Sequence, residues 1–157
     1  MRTAVDGVRY ATDRDVERIV ALAQQEHQRS QWSGAVAFCS QHCERVVAGF
    51  IGEPGRVALV CDGGYLLGLT QHLGFSPQLA ALEYAWYAAD GRGLALLQAF
   101  DRWARGMGAE VIVVHDYAGG EQAGRMAGVL ARRYGFSMLG VAMHRAPGIT
   151  SNGSKES

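Results

Sequence analysis

The segment that most constrains the fold places a glycine-bounded helix between two strand-like stretches. Residues 78–88 alternate in the manner of a strand, and residues 111–114 are an uninterrupted run of β-branched side chains. Between them, Leu96, Phe100 and Trp103 recur at near-heptad spacing, which is typical of a helix with one buried stripe. A strand, a helix and a strand with short joints form a βαβ unit, whose crossover is right-handed. The segment therefore predicts two parallel strands joined by a helix.

The alternation of the first strand also predicts which side chains share a face. Successive side chains of a strand point to opposite sides of the sheet. This places Glu83 and Tyr87 on one face and Tyr84 and Trp86 on the other. We therefore expect the carboxylate of Glu83 on the same side as the Tyr87 ring.

The flanking sequence predicts further strands and helices. Residues 8–10 form a short strand, and Thr12 with Asp15 forms a capping box at the start of a helix. Asp62-Gly63-Gly64 supplies the positive-φ residues of a tight hairpin turn. The other predicted elements are a helix over 35–51, hairpin strands over 56–62 and 65–73, a helix over about 120–134 and a last strand over 137–145. The order β-α-α-β-β-β-α-β-α-β predicts an α/β (α+β) three-layer domain, with a mixed central sheet and helices on both faces.

Length and composition indicate one globular domain. A chain of 157 residues is long enough for one domain and short for two, and we expect the domain over 1–147 and a flexible polar tail over 148–157. With 48% hydrophobic and 19% charged residues, the chain does not have the composition of a disordered protein. Its 15 basic and 15 acidic side chains cancel, which argues against a nucleic-acid partner while leaving a local basic patch open.

Composition also bears on compartment and metals. No stretch approaches the roughly 20 apolar residues of a membrane-spanning helix, and the first residues lack a secretory-signal pattern. Three cysteines are an odd count, which suits a reducing compartment, so we expect a cytoplasmic protein without a membrane partner. Cys39, His42 and Cys43 fall within one helical turn, but a tetrahedral metal site needs four ligands and no second cluster supplies them. We therefore predict no metal site.

The turn Asp90-Gly91-Arg92-Gly93-Leu94-Ala95 is the first candidate for chemistry. Glycines let the backbone approach a ligand closely, and the first amides of a helix are unpaired and lie at the positive end of its dipole. A phosphate is the natural guest at such a position. A tight turn in a packed βαβ unit accounts for the same residues without a ligand, so both interpretations stay open.

The element order and the closing residues Arg132-Arg133-Tyr134-Gly135-Phe136 resemble the GNAT superfamily of acyl-CoA-dependent N-acyltransferases. The resemblance covers nearly the whole chain, from the opening strand and helix to the last strand. Trp103-Ala104, ahead of Met107-Gly108-Ala109, is similar to a feature of short GNAT-like proteins of bacteriophages. The family implies transfer of an acetyl or similar acyl group to an amine by direct attack, the acceptor being a small-molecule or protein amine.

The resemblance also implies how acetyl-CoA, the acyl donor, would bind. In the family, the strand before the glycine turn splays from its parallel neighbour, the pantetheine arm pairs with the exposed backbone, and the amides of the turn hold the pyrophosphate. Carried over to this chain, the residues facing the pantetheine would be Trp86, Tyr87 and Ala88. The residues cradling the pyrophosphate would be Gly91, Arg92, Gly93, Leu94 and Ala95.

Direct attack by an amine needs a base, and the resemblance points to Glu83 on the splayed strand. Partial burial would raise its pKa towards the working range, and the alternative is an acid that faces solvent on the sheet. His115, at the end of the second strand, could relay protons or only cap the strand through a backbone hydrogen bond. His72, and Glu26 with His27 at the end of the first helix, are further titratable candidates, the latter pair in the lining of an acceptor pocket.

Three features depart from the family pattern. Asp90 stands where an arginine or glutamine is usual, and Ala131 stands where many members have a tyrosine that protonates the leaving thiolate. No asparagine lies between Val111 and Phe136. Two alternatives therefore stay open: an inactive GNAT fold that serves as a binding or assembly module, and an acyltransferase that modifies a nucleic-acid amine. Because GNAT domains often pair, a homodimer is a further expectation.

Overall fold

The computed structural model describes residues 7–115, 128–133 and 135–136. Within these ranges the chain forms five strands and three α-helices, and residues 128–133 are helical as well. In chain order the elements are β1 (Arg9–Tyr10), α1 (Val16–Arg29), α2 (Ser40–Ala48), β2 (Arg56–Cys61), β3 (Gly64–His72), β4 (Leu79–Ala88), α3 (Gly93–Gly106) and β5 (Val111–Val113). The predicted strand at 137–145, residues 120–127 of the predicted helix and the tail at 148–157 lie outside the described residues.

The five strands form one mixed sheet in the order β1-β2-β3-β4-β5. Strands β1 to β4 are antiparallel neighbours, whereas β4 and β5 are parallel, with residues 80–82 opposite residues 111–113. Helix α3 joins these two parallel strands, as the βαβ pattern predicts. The mixed sheet with its helices confirms the predicted α/β (α+β) class.

Helices cover both faces of the sheet because the buried side chains of the strands alternate. Val57 and Leu59 of β2 pack with α3 around Phe100, while Ala58 and Val60 pack on the other face against α1 and α2. All five side chains are almost fully buried. Because each fully buried large apolar side chain contributes roughly 1.5–3 kcal/mol, both layers hold the sheet in place.

An ion pair and the predicted capping box together fix the start of the first helical segment. The Thr12 amide donates to Asp15 Oδ2 over 2.8 Å, which confirms the pairing of these two residues. Arg9 Nη2 donates to Asp15 Oδ1 over 2.6 Å, and this bond holds the pKa of the buried Asp15 carboxyl well below its usual range. The stabilisation is therefore present above the unfolded-state pKa of Asp15 and is lost as the pH falls through its lower folded-state pKa.

The second helix is shorter than the predicted span of 35–51. It covers Ser40–Ala48, because residues 31–34 form a separate 3₁₀ turn and Cys39 is extended, with φ of −122°. Ser30 Oγ accepts a hydrogen bond from the Trp32 amide at 3.2 Å. Bonds of this kind give the backbone an alternative to helix, which the apolar pattern alone does not register.

The hairpin turn between β2 and β3 uses its glycines for space and not for backbone conformation. Neither Gly63 nor Gly64 has a positive φ, so the predicted reason for these glycines is wrong. A Cβ on Gly63 would lie 2.8 Å from the Asp90 Cβ, and a Cβ on Gly64 would lie 2.8 Å from the Tyr87 carbonyl oxygen. The glycines therefore let the hairpin turn pack closely against the end of β4.

A bulge interrupts β4 near its middle. Leu67 of β3 pairs with Ala85, but the next residue, Gly68, pairs with Glu83. Tyr84 is therefore an extra residue on β4, and such an insertion bends the strand and re-aims its side chains.

The bulge reverses the alternation that the sequence predicts for β4. The Tyr84 ring lies 5.0 Å from the Phe50 ring on the α1 and α2 side of the sheet, whereas Trp86 packs on the α3 side. The prediction that Tyr84 and Trp86 share a face is therefore wrong. Glu83 pairs with Gly68, whose Cβ position faces Phe100 on the α3 side, whereas Tyr87 packs on the α1 side. The prediction that Glu83 and Tyr87 share a face is therefore wrong as well.

Gly68, opposite the bulge, is expected to tolerate no side chain. A Cβ at this position would collide with the Phe100 ring, so Gly68→Ala should lower the free energy of unfolding by about 1–3 kcal/mol. Urea unfolding measures this change. Gly74→Ala, whose Cβ would have no neighbour within 4 Å, is the matched control and should change stability by less than about 0.5 kcal/mol. Equal stabilities of the two variants would contradict the packing described here.

Candidate functional site

Strands β4 and β5 separate shortly after they meet. Their last paired positions are Leu82 and Val113, while β4 continues to Ala88. On its other side, β3 follows β4 to the end, where Gly64 pairs with Ala88. Along the β5 side, residues 84–88 have no strand partner among the described residues. This open edge of β4 can therefore accept an extended ligand in the way a sheet accepts an added strand.

Glu83 and His115 meet where the two strands separate. The His115 amide donates to Glu83 Oε2 over 2.8 Å. His115 Nδ1 lies 3.1 Å from the Glu83 carbonyl oxygen and 3.4 Å from Oε2. The Glu83 side chain is 1% exposed and the His115 side chain is 44% exposed. The structure thus brings the two predicted catalytic residues into contact, with His115 as the accessible partner.

Burial raises the pKa of Glu83 to about 7. The hydrogen bond from the His115 amide and the charge of its ring oppose this shift, and the charge of Glu26 adds to it. A carboxyl group with a pKa near 7 is partly ionised at neutral pH, so it can accept a proton and release it again. Carboxyl groups shifted in this way are characteristic of sites that carry out acid–base chemistry.

The turn after β4 presents free amides. Gly91 has a φ of +78°, a conformation that favours glycine, and α3 begins at Gly93. The first helical bond at this end runs from the Leu96 amide to the Arg92 carbonyl at 3.2 Å. The preceding amides, those of residues 93–95, donate no backbone hydrogen bond within the described part of the chain. They lie at the positive end of α3, so they form a place for an anion.

Asp90 turns away from these amides. Its Oδ2 accepts from the Gly63 amide over 3.0 Å, and its Oδ1 accepts from the Arg92 amide over 3.1 Å. The carboxylate therefore ties the glycine turn to the β2–β3 hairpin turn. The Arg92 amide, one of the groups expected to hold pyrophosphate, is already used by this contact.

Removing the Asp90 carboxylate is expected to loosen the turn. Asp90→Ala takes the acceptor from two backbone amides, so the free energy of unfolding should fall by about 1 kcal/mol and the Gly63 amide should exchange faster with solvent. Urea unfolding and amide hydrogen exchange measure the two effects. Asp62→Ala, which removes an 87% exposed side chain nearby, is the control and should leave both nearly unchanged. Unaltered exchange at Gly63 in Asp90→Ala would show that the contact does not hold the turn.

Arg92 supplies a positive charge beside the turn. Its Nη1 lies 3.7 Å from Asp62 Oδ2, and its Nε lies 3.8 Å from Asp90 Oδ2. The guanidinium also lies against Gly7, where a Cβ would come within 2.6 Å of Nη1. The side chain is 44% exposed, so it can still face a bound anion while these contacts restrain it.

The three residues expected to face the pantetheine differ in where their side chains point. Trp86 Nε1 donates to the Gly93 carbonyl over 3.1 Å on the α3 side. The Tyr87 hydroxyl accepts a hydrogen bond from Arg29 Nη1 at 2.9 Å and its ring packs on the α1 side. The backbone groups of Trp86, Tyr87 and Ala88 all lie along the open edge of β4. A role common to the three residues would therefore use their backbone amides and carbonyls.

A cavity of about 270 Å³ lies beside the bulge, between α1, α2, β3 and β4. We call it the α1–α2 cavity. Its lining residues are Ala23, His27, Ala37, Phe38, Cys39, His42, Cys43, Val46, Val47, Tyr65, Leu67, Tyr84 and Ala85. His27, one of the residues expected near an acceptor pocket, is among them.

Sequence reasoning missed Tyr65, which borders the α1–α2 cavity. Its hydroxyl donates to Glu26 Oε2 over 2.5 Å. Burial raises the pKa of Glu26, and the bond from Tyr65 opposes that shift. Burial likewise raises the pKa of Tyr65, with Glu26 and Glu83 among the further causes. No local pattern marks a tyrosine in an apolar strand as functional, because its partner lies on a distant helix.

Two other positions do not join the site in contacts that the structure shows. His72 Nδ1 lies 2.8 Å from the Pro77 carbonyl in the exposed loop between β3 and β4. Ala131 is exposed in the helical residues 128–133.

Across the described residues, no three histidine, cysteine or acidic groups come together as a metal site, and no helix is both long and apolar enough to cross a membrane.

No protein-family model matches the sequence, and no curated protein is significantly similar to it. Solved structures are similar over most of the chain. An integron cassette protein from the mobile metagenome of Cole Harbour Salt Marsh is 20% identical, with a TM-score of 0.62 over 88% of this chain and 91% of that chain. An aminoglycoside acetyltransferase from an uncultured soil metagenomic sample is 12% identical, with a TM-score of 0.62 over 88% and 94%.

A third similar structure is the ribosomal-protein-alanine N-acetyltransferase of Brucella melitensis biovar Abortus 2308. It is 14% identical, with a TM-score of 0.58 over 87% of this chain and 98% of that chain. The resemblance to bacteriophage proteins stays a prediction. The element order, the parallel pair β4 and β5, and these structural likenesses together show that the chain has the GNAT acetyltransferase fold.

Proposed function

We propose that this protein is an N-acetyltransferase that moves an acetyl group from acetyl-CoA to an amine by direct attack. The observation that carries the proposal is the open edge of β4, which runs from the buried Glu83 to the free amides at the start of α3. One end of this path offers a base and the other offers an anion site. Acetyltransferases of the same fold add support.

The donor would lie along the open edge of β4. Its pantetheine amides would pair with the backbone of residues 86–88, as an added strand does. Its pyrophosphate would accept from the amides of Gly93, Leu94 and Ala95, with the Arg92 guanidinium beside it. The space supports this fit, since a Cβ on Gly91 would have no neighbour within 4 Å.

Starting from an ammonium, transfer needs two protons removed from nitrogen and one delivered to sulfur. Glu83 accepts a proton from the acceptor ammonium, with His115 or water as the carrier. The neutral amine attacks the thioester carbonyl carbon, the C–N bond forms and the C–S bond breaks. The nitrogen releases its second proton to solvent, and the CoA thiolate takes a proton from solvent, since Ala131 has none to give. Alignment of the two substrates supplies most of the rate.

A binding or assembly module is the second candidate. The hydrogen bond from the Arg92 amide to Asp90 favours the module. This bond removes one donor from the expected pyrophosphate site and leaves a carboxylate close by. Such a module would keep the fold and have no acetyl transfer.

Two measurements test the proposal. Isothermal titration should show micromolar binding of acetyl-CoA, and mass spectrometry of a mixed amine panel should show an acetylated product formed in proportion to released CoA. The panel should contain alkyl and aryl amines, polyamines, aminoglycosides and a peptide amino terminus. Absence of acetyl-CoA binding would overturn the proposal. Binding with no product from any amine class would favour the module.

A further inference from the structure

The indole of Trp86 ties the last part of β4 to the first residue of α3. Its Nε1 donates to the Gly93 carbonyl over 3.1 Å, and a Cβ on Gly93 would lie 3.3 Å from Cζ2 of the indole. The lack of a side chain at Gly93 therefore lets the ring lie against the backbone where the helix starts. The ring is partly buried and packs on the core between the sheet and α3.

The bond from Trp86 closes the glycine turn on one side. Residues 87–92 separate its two ends, and among them Gly91 has a φ of +78°. The β2–β3 hairpin turn holds the other side, since the Ala89 amide donates to the Gly63 carbonyl over 2.8 Å and the Gly63 amide donates to Asp90. A turn that is held on both sides has little conformational freedom left to lose when a ligand binds, which lowers the cost of binding.

Trp86 also acts on the direction of an amide in the expected pyrophosphate site. The Gly93 carbonyl and the Leu94 amide belong to one peptide unit, which is planar and trans. In such a unit the carbonyl oxygen and the amide hydrogen point in opposite directions. An indole bound to the carbonyl therefore fixes the direction of the amide and leaves the amide itself open to a ligand.

We propose that Trp86 is a positioning residue for the acyl donor: its indole N–H, through the Gly93 carbonyl, sets the direction in which the Leu94 amide meets the pyrophosphate. This inference rests on the proposed function. The role belongs to the side chain and is separate from the backbone groups that Trp86 contributes to the open edge of β4. In this role the indole acts on the ligand through the peptide unit that it holds.

The variant Trp86→Phe tests the inference, because phenylalanine keeps an aromatic ring and cannot donate to the Gly93 carbonyl. The probes are acetyl-CoA, followed by isothermal titration, and ADP, which carries a pyrophosphate without pantetheine and is followed by NMR titration. We expect both to bind about fivefold more weakly, the equivalent of one hydrogen bond.

Trp103→Phe is the matched control. Trp103 also packs between the sheet and α3, but it lies about 15 Å further along the helix than Gly93. Because Trp103 is only 9% exposed, its substitution should lower the free energy of unfolding. It should leave both affinities unchanged, which separates a loss of stability from a loss of positioning.

A measurement on the unmodified protein does not depend on the folding of a variant. A bound pyrophosphate would hold the Leu94 amide and thereby the peptide unit that the indole contacts. The Nε1 proton of Trp86 should therefore exchange with solvent at least tenfold more slowly when acetyl-CoA is bound. Its NMR signal is the one that Trp86→Phe lacks, or the one that stays when Trp32 and Trp103 are each replaced.

The outcomes separate the inference from the proposed function. Unchanged acetyl-CoA affinity in folded Trp86→Phe, a loss for acetyl-CoA without one for ADP, or an equal loss in Trp103→Phe overturns the inference and leaves the proposed function standing. An unmodified protein that binds acetyl-CoA but not ADP does the same. If Trp86→Phe does not fold, unchanged exchange of the indole proton overturns the inference. Absence of acetyl-CoA binding to the unmodified protein overturns both.

Discussion

Replacing Glu83 by glutamine is expected to slow acetyl transfer by about 10²–10⁴-fold while leaving the affinity for acetyl-CoA unchanged. Glutamine keeps the shape of the side chain and can still accept the bond from the His115 amide, but it cannot take a proton. The measurements are kcat at saturating substrates and the Kd of acetyl-CoA by isothermal titration. Glu53→Gln, on an exposed residue, is the matched control and should change neither value. If the Glu83→Gln variant transferred acetyl groups as fast as the unmodified protein, Glu83 could not be the base.

The same substitution should also alter two pH dependences. In the unmodified protein kcat should rise as the pH passes through about 7, because the ionised carboxyl is the base, and Glu83→Gln should lose this rise. A folded-state pKa raised from 4.5 means that the stabilisation from Glu83 is complete below about pH 4.5 and is lost as the pH rises through about 7.

Glu83→Gln should therefore melt several degrees above the unmodified protein at pH 8 and close to it at pH 5. Thermal unfolding followed by circular dichroism measures this difference. Because His115 and Glu26 also act on Glu83, the comparison is between variants at each pH and not between pH values. A melting difference of the same size at both pH values would contradict the conclusion that burial raises the pKa of the Glu83 carboxyl.

Placing a negative charge at Gly91 is expected to weaken acetyl-CoA binding at least tenfold. Gly91 has a positive φ and open space around its Cβ position, and asparagine and aspartate tolerate this conformation better than other side chains. Gly91→Asp and Gly91→Asn therefore carry similar backbone strain and differ in charge. Two like charges about 4 Å apart near a protein surface repel by roughly 4 kcal/mol at most, so a tenfold loss is a conservative expectation.

The pair of variants separates charge from strain. We expect Gly91→Asp and Gly91→Asn to unfold at similar urea concentrations, and we expect only Gly91→Asp to lose acetyl-CoA affinity by isothermal titration. The loss should shrink at high salt, because screening acts on exposed charges. Equal affinities of the two variants would mean that no phosphate lies beside the turn.

Local patterns were enough to predict the part of the fold that carries the site. The βαβ unit follows from periodicity and from the β-branched run at 111–114, both of which are local properties. The capping box of Thr12 and Asp15 and the glycine turn are also local. Because Glu83 and His115 both lie near the point where the parallel strands diverge, the sequence could predict that they are close. It could not predict the hydrogen bond between them.

The features that could not be predicted depend on distant residues. The bulge at Tyr84 follows from the register of β4 against β3, where Gly68 leaves room for Phe100. Asp90 finds its partner in Gly63, in a different hairpin, so its own neighbours in sequence gave no sign of which way it turns. The α1–α2 cavity joins two helices to the bulge and has no sequence pattern of its own.

Titration of ¹⁵N-labelled protein with acetyl-CoA tests the central claim most directly, because it reports on individual backbone amides. The account predicts saturable shifts at the amides of Gly93, Leu94 and Ala95 and along residues 84–88, with small changes on the far strands β1 and β2. Shifts confined to other surfaces, or none at millimolar acetyl-CoA, would contradict the claim that the open edge of β4 and the start of α3 hold the acyl donor.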